Sequence, residues 1–289
     1  MSALSKKTIA MLLALLAGAG VAGCDGSTPN GECGLIPPDT ANIEDSRRAD
    51  LLNAFKFAQL EDELTTLHKK NMSSDGNDLL TLRNLIELQR MGSRSESLVR
   101  MWVDQRPQSF FAQLFAGMFY EDKAQSVRGS GYASGVRPEQ WQTIKKYSEQ
   151  ANGYLQKAMS LDPKSALPAA VLITAAGRGE PVGGRTALQW QQAADQVDPK
   201  NMAARIQSMN YLSPRWGGSF EILDKMVADA DKSLPSTTEH YLKYSLVMAK
   251  ASHYEVIEKD KAKAQELYKQ AQAMCANSET ARAGMLRTY

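Results

Sequence analysis

The chain has 289 residues, 34 Lys and Arg against 32 Asp and Glu, a formal charge of +2, and 43% hydrophobic side chains. That length supports one large core or a continuous repeat core. The near-balanced charge argues against a nucleic-acid partner, because such binding rests on counterion release by clustered Lys and Arg.

Lys6 and Lys7 precede an apolar run from Ile9 to Ala22 that is broken only by small glycines. A charged start, a short hydrophobic core and small residues before a cleavage point are the features of a secretory signal, and the run is short for a transmembrane helix. Val21-Ala22-Gly23-Cys24 resembles the lipobox of bacterial lipoproteins. The resemblance implies cleavage before Cys24, acylation of its sulfur and a mature protein held at the periplasmic face of a membrane, since two or three acyl chains anchor stably where one does not. Asp25, by the sorting rule of enteric lipoproteins, implies retention at the inner membrane. Removing residues 1–23 also removes Lys6 and Lys7, leaving 32 basic and 32 acidic side chains. Cys33 and Cys275 are then the remaining thiols: in an oxidising compartment they either pair or stay as a free thiol and a small buried hydrophobe.

Residues 24–48 are rich in Gly, Pro and Ser and read as a lipidated, flexible tether, leaving 49–289 as a helical repeat-like domain. Leu52, Phe55, Leu60, Leu64 and Leu67 predict one amphipathic helix from Ala49 to about Asn71. Asn77 or Asp78 is a candidate cap for a second helix, carrying Leu79, Leu82, Leu85 and Ile86, and a third runs through Leu98, Met101 and Trp102 to Pro107. Ser109 opens the most apolar stretch of the mature chain, Phe110 to Tyr120, which predicts a helix covered on most sides. Its small residues Ala112, Ala116 and Gly117 suit close helix contact. Three glycines between Arg128 and Gly135 break the series with a loop, and Pro138 suits the first turn of the next helix.

Ala158, Leu161, Asp162, Pro163 and Lys164 recur thirty-six residues later as Ala194, Val197, Asp198, Pro199 and Lys200. A fainter copy passes through Tyr268, Ala271 and Met274 to Cys275-Ala276. These units resemble tetratricopeptide repeats without their usual Trp-Leu-Gly-Tyr spacing, and the period is close to theirs. Pro214-Arg215-Trp216-Gly217-Gly218-Ser219 predicts a tight turn, with Ser219 capping the helix that follows. Together with the Arg128-Gly129 loop and the Asp-Pro repeats, this motif resembles an uncharacterised bacterial family of helical domains over roughly residues 50 to 230. The fold expected is all-α, an irregular tetratricopeptide-like superhelix of about eleven or twelve helices.

No catalytic constellation stands out. His240 and His253 are thirteen residues apart, on different faces of one helix, and His68 is remote, so no metal or cofactor is expected. Ser130 lacks the strand-turn-helix setting of an activated serine. Glu61-Asp62-Glu63 reads as a solvent-facing run rather than a catalytic pair. Arg128, Arg215 and Trp216 are the candidate binding residues, because arginine and tryptophan beside a glycine turn suit an anion or a binding hot spot; the alternative is that Trp216 packs under its turn and Arg215 pairs with a nearby carboxylate. The function expected is a non-enzymatic protein-binding module, either an immunity protein that captures a periplasmic toxin or an envelope-assembly adaptor. The competing reading is an enzyme or small-ligand receptor with a polar pocket near Arg128 and Arg215.

Overall fold

The computed structural model describes residues 41–73, 77–92, 95–129, 133–178, 180–230 and 232–289, with side chains from residue 46 onward. Among these residues the chain is all-α: thirteen α-helices, two short 3-10 segments, one π-helical segment and a single isolated β-bridge between Val182 and Arg185. The helices are α1 (Ala41–Asn53), α2 (Phe57–Ser73), α3 (Asp78–Met91), α4 (Glu96–Gln105), α5 (Phe110–Arg128), α6 (Pro138–Leu161) and α7 (Leu167–Ala176). They continue as α8 (Ala187–Val197), α9 (Ala203–Tyr211), α10 (Phe220–Ala230), α11 (Ser236–His253), α12 (Lys261–Met274) and α13 (Glu279–Thr288). No helix among the described residues is long and apolar enough to cross a membrane.

The start of the domain corrects two expectations. The tether assigned to residues 24–48 gives way to α1 from residue 41, and Arg48 and Ala49 are already buried. The single helix expected from Ala49 to Asn71 is two helices. Its break is a closing turn in which Lys56 N–H donates to the Leu51 carbonyl at 2.9 Å and Phe55 N–H to that of Leu52 at 3.1 Å. Phe55 sits in the left-handed region at φ 57°, the position that glycine usually fills in this turn. Its ring leaves the apolar stripe and stands exposed.

Helix α5 is the axis of the fold. Every residue from Phe111 to Glu121 is buried, and Ser109 caps the helix by accepting from Ala112 N–H at 3.1 Å. Helix α6 lies along it, and a Cβ on Gly117 would sit 2.5 Å from Leu155 Cγ, so glycine permits the approach. Further helices stack outward from this pair: α7 against α5, α8 and α9, then α9 against α11, α11 against α12, and α12 against α13.

Helix junctions repeat one geometry. Asp162 (φ −134°, ψ 88°), Asp198 (φ −140°, ψ 100°) and Cys275 (φ −137°, ψ 88°) end α6, α8 and α12 in nearly the same conformation. Their carbonyls accept from Ser165, Asn201 and Ser278 N–H at 3.2, 3.0 and 3.0 Å. Arg106, at the end of α4, repeats the bond to Ser109 at 3.0 Å and is followed by Pro107, which makes it a junction that sequence comparison did not single out. The two aspartates add a side-chain bond, accepting from Lys164 N–H at 3.2 Å and Lys200 N–H at 2.9 Å.

Two carboxylates thought to serve locally instead join distant helices. Glu61 is buried, accepting from Trp102 Nε1 at 2.9 Å and Arg106 Nε at 2.9 Å, because the enclosed indole needs an acceptor. Asp78 caps α9 rather than α3: its Oδ1 accepts from Met202 and Ala203 N–H at 2.7 and 2.9 Å, while Oδ2 is buried without a partner among the described residues. Burial, only partly offset by those amides, pushes the Asp78 carboxyl up to about 6. A raised carboxyl favours the protonated folded state, so its contribution is greatest below the unfolded value near 3.8 and is lost as pH rises to about 6. Asp78→Asn keeps an acceptor without the charge. Urea titrations from pH 4 to 7 should show wild-type stability falling by on the order of 3 kcal/mol more than that of the Asn variant. An unchanged difference across that range would refute the assignment.

Candidate functional site

The polar end of α5 is where the molecule gathers its buried charge. Glu121, Gln125 and Arg128 recur at intervals of four and three and therefore share one face. The turn after α7 brings Arg178 to that face: its guanidinium donates to Glu121 Oε2 and, at 3.1 Å, to Gln125 Oε1. Gly177 makes this possible, since a Cβ there would overlap the Tyr211 ring at the end of α9.

From Tyr211 the chain turns through a 3-10 segment, Pro214–Trp216. Gly217 adopts φ 85°, and a Cβ on Gly218 would overlap the Leu212 carbonyl oxygen. Both glycines are therefore required by the turn. Ser219 then accepts from Ile222 N–H at 3.3 Å at the start of α10. The turn holds the Trp216 ring 5.4 Å from that of Tyr211, with the Arg128 guanidinium 4.9 Å and the Arg215 guanidinium 5.8 Å from the indole centre. Cation–π contacts of this kind gain strength as water is excluded.

Glu121, Arg128 and Arg178 are 6%, 7% and 5% exposed, Trp216 is half-buried, and Arg215 faces solvent. Burial raises the Glu121 carboxyl to about 7 against the opposing pull of Arg178. Arg128 is held below the ordinary arginine value, first by burial and then by repulsion from Arg178 and Arg215. Tyr211 is pushed up to about 12, chiefly by burial. Trp216 Nε1, Arg178 Nε and Glu121 Oε1 are buried with no hydrogen-bond partner among the described residues.

Arg128, Arg215 and Trp216, separated by almost ninety residues in sequence, thus meet in space. Sequence reasoning missed Glu121, Arg178 and Tyr211. A charged residue directly after the apolar run of α5 was the one available signal for Glu121; Arg178 follows a glycine in a short turn, with no marker of its own. The other candidates lie elsewhere. Cys275 is buried and disulfide-bonded, while its partner, Cys24 and Cys33 fall outside the described residues, as does Ser130. His68 pairs with Thr81 Oγ1 at 3.0 Å beside an open cavity of about 480 Å³ that Glu61, Lys69, Phe110 and Asp162 also line. His240 contacts the Met274 carbonyl at 2.9 Å and His253 contacts Glu258 at 3.1 Å, so the two serve different neighbourhoods.

Residues 46–183 match a family described as a domain of unknown function, DUF4034. The matched segment is a little under half of the chain and ends before the Arg215-Trp216 turn, short of the extent to residue 230 expected from the motifs. No curated protein and no solved structure matches the chain.

The turn supplies a direct check of how the site is held. Gly218→Ala should lower stability by about 1–3 kcal/mol, because overpacking against backbone has no cheap relief, and should alter the near-ultraviolet circular dichroism of Trp216. Gly135→Ala, where a Cβ meets nothing within 4 Å, is the matched control and should change neither. Equal effects in the two variants would contradict the packing described.

Proposed function

We propose that the chain is a lipid-anchored periplasmic module of tetratricopeptide-like helix pairs that binds a protein partner without catalysis, with Cys24 as the acylated residue. The repeated junction geometry and the stacking of α7, α9 and α11 support an extended helical array, the architecture that leaves side surfaces for partners. The signal-like start and Val-Ala-Gly-Cys sequence support the address.

One observation carries the partner-binding reading. Phe55 is 51% exposed at a left-handed position that would be less strained as glycine, and it faces a depression of about 490 Å³ shared with Met91, Leu98 and Met101. Met91 and Met101 are each 37% exposed. Holding a phenylalanine in this conformation costs about 1 kcal/mol that folding alone does not recover, and adaptable methionines around an aromatic suit a protein surface. An incoming periplasmic toxin, neutralised by an immunity protein, and an envelope-assembly client are the two partner classes that fit this address. An adjacent toxin gene would select the first and an envelope operon the second.

The anchor also bears on the disulfide. With Cys24 acylated, Cys33 is the cysteine left to pair with Cys275, closing a loop worth about 5 kcal/mol on the chain-entropy model.

Phe55→Gly should raise the unfolding free energy by about 1 kcal/mol, while Phe55→Gly and Phe55→Ser should both remove a defined adduct formed by a photo-crosslinker placed at Met101 in intact cells. Persistence of the same adduct in both variants would exclude this surface. Purified, partner-free protein that turned over a metabolite and lost that turnover on Arg215→Gln would overturn the non-enzymatic reading. For the anchor, Cys24→Ser should move the protein from the membrane to the soluble periplasmic fraction, and peptide mapping without reduction should recover Cys33 linked to Cys275. A Cys24–Cys275 linkage would refute acylation.

A further inference from the structure

We infer that the cavity between α2, the start of α5 and the end of α6 is a binding site for a small zwitterion with an apolar body, of amino-acid or dipeptide size. The inference is independent of the anchor and of the surface around Phe55.

The cavity holds about 480 Å³ and is open to solvent. A space of that order, with apolar walls and a few convergent polar groups, is the usual form of a small-ligand site. Thr65, His68 and Lys69 line it from one face of α2, Phe110 and Phe111 from the first turn of α5, and Asp162 from the junction after α6. The two phenyl rings meet edge to face with centres 5.2 Å apart, and Phe110 stays partly exposed, so the apolar wall is left with surface for a ligand to cover.

The polar groups divide by sign. The Thr81 hydroxyl accepts from Asn71 Nδ2 at 3.1 Å, and the one acceptor for its own hydrogen among the described residues is His68 Nδ1 at 3.0 Å. That bond sets the tautomer with hydrogen on Nε2, which has no partner among the described residues. Burial lowers His68 below its ordinary value against the opposing pull of Asp162, so at pH 7 the ring is neutral and Nε2 is a donor. Lys69, next in sequence, adds an ammonium that no carboxylate engages among the described residues. Asp162 brings the opposite charge from a different element: its Oδ1 accepts from Lys164 N–H at 3.2 Å, and Oδ2 has no partner among the described residues. Glu61 also lines the cavity, but both of its oxygens are taken, by Trp102 Nε1 and by the Arg106 guanidinium. Two donors and one carboxylate oxygen therefore converge on the space beside the phenyl rings. A ligand carrying only an anion would be repelled by Asp162, and one carrying only a cation by Lys69; a zwitterion matches both.

The test is calorimetric titration of the detergent-solubilised chain at pH 7 with L-phenylalanine and with the dipeptide phenylalanyl-alanine. Glycine, 3-phenylpropionate and 2-phenylethylamine are the controls, lacking in turn the apolar body, the ammonium and the carboxylate. The expected result is saturable one-to-one binding of at least one zwitterion, about tenfold or more tighter than any control, and the tighter of the two identifies the size the site takes. Lys69→Gln and Asp162→Asn should each weaken that binding about tenfold, the second while keeping the acceptor for the Lys164 amide. Thr65→Leu, which projects an apolar branch into the cavity from α2, should abolish binding without lowering the thermal midpoint. No saturable binding of either zwitterion, a control that binds as tightly, or wild-type affinity in both charge variants would overturn the proposal, as would undiminished binding by folded Thr65→Leu protein. Circular dichroism of each variant confirms that any loss occurs in folded protein.

Discussion

Glu121 and Arg178 meet where the central helix leaves its apolar sheath, and that contact ties the end of α7 to α5. Helix α5 is enclosed over three turns, so its first buried carboxylate has no access to solvent and requires a partner from another element. Arg178 is delivered by the turn after α7, donating to both Glu121 and Gln125. Removing either member would strand the other as a buried, uncompensated group, which costs far more than the pair contributes. Such a contact specifies register more than it adds stability: α7 docks on α5 at the height where the guanidinium reaches its acceptors. Tyr211, Trp216 and the glycine turn are then placed relative to that height through Gly177.

Beyond this contact, the array is ordered by a backbone device. Four helix ends share a carbonyl that accepts from the amide three residues on, after a residue with φ between −132° and −140°. Two of them spell Asp-Pro, and those two announced the repeat from the sequence. The others use Arg106-Pro107 and Cys275-Ala276. The conformation is set by the need to reverse the chain between packed helices, and several residue pairs satisfy it. Aspartate adds one bond from its carboxylate to the following lysine amide, and proline blocks continuation of the helix, but neither is indispensable. Sequence periodicity therefore undercounted a feature that the backbone repeats.

The same distinction explains what was legible elsewhere. The all-α class, the enclosed helix from Phe110, the cap at Ser109 and the close contact at Gly117 follow from local patterns, and each depends on residues within a turn or two. The break at Phe55 did not, because a phenylalanine in the left-handed region contradicts the local preference and was read as one more apolar position in a longer helix. Glu61 and Asp78 failed for a different reason. Their partners, Trp102 and the first amides of α9, lie 41 and 124 residues away, and no spacing rule spans such distances. In the arginine cluster, glycine-rich segments marked Arg128 and Arg215, whereas Glu121, Arg178 and Tyr211 became visible only when three junctions were folded together.

The limits of the family match sharpen how that cluster is built. Residues 46–183 contain Glu121, Gln125, Arg128 and Arg178, but Tyr211, Arg215 and Trp216 come from the segment that follows. Within the matched segment the Glu121–Arg178 pair and Arg128 already form a charged end to α5. The later segment supplies the aromatic wall: Tyr211 covers Gly177, and Trp216 lies against Arg128. Exclusion of water by these rings turns a polar helix end into a site of low dielectric, where a guanidinium interacts more strongly with an opposing charge and suffers more without one. The chemistry of the cluster is thus a joint property of both segments, and a chain ending at the matched boundary would keep Arg128 and Arg178 while losing Arg215 and the aromatic enclosure that makes their charge consequential.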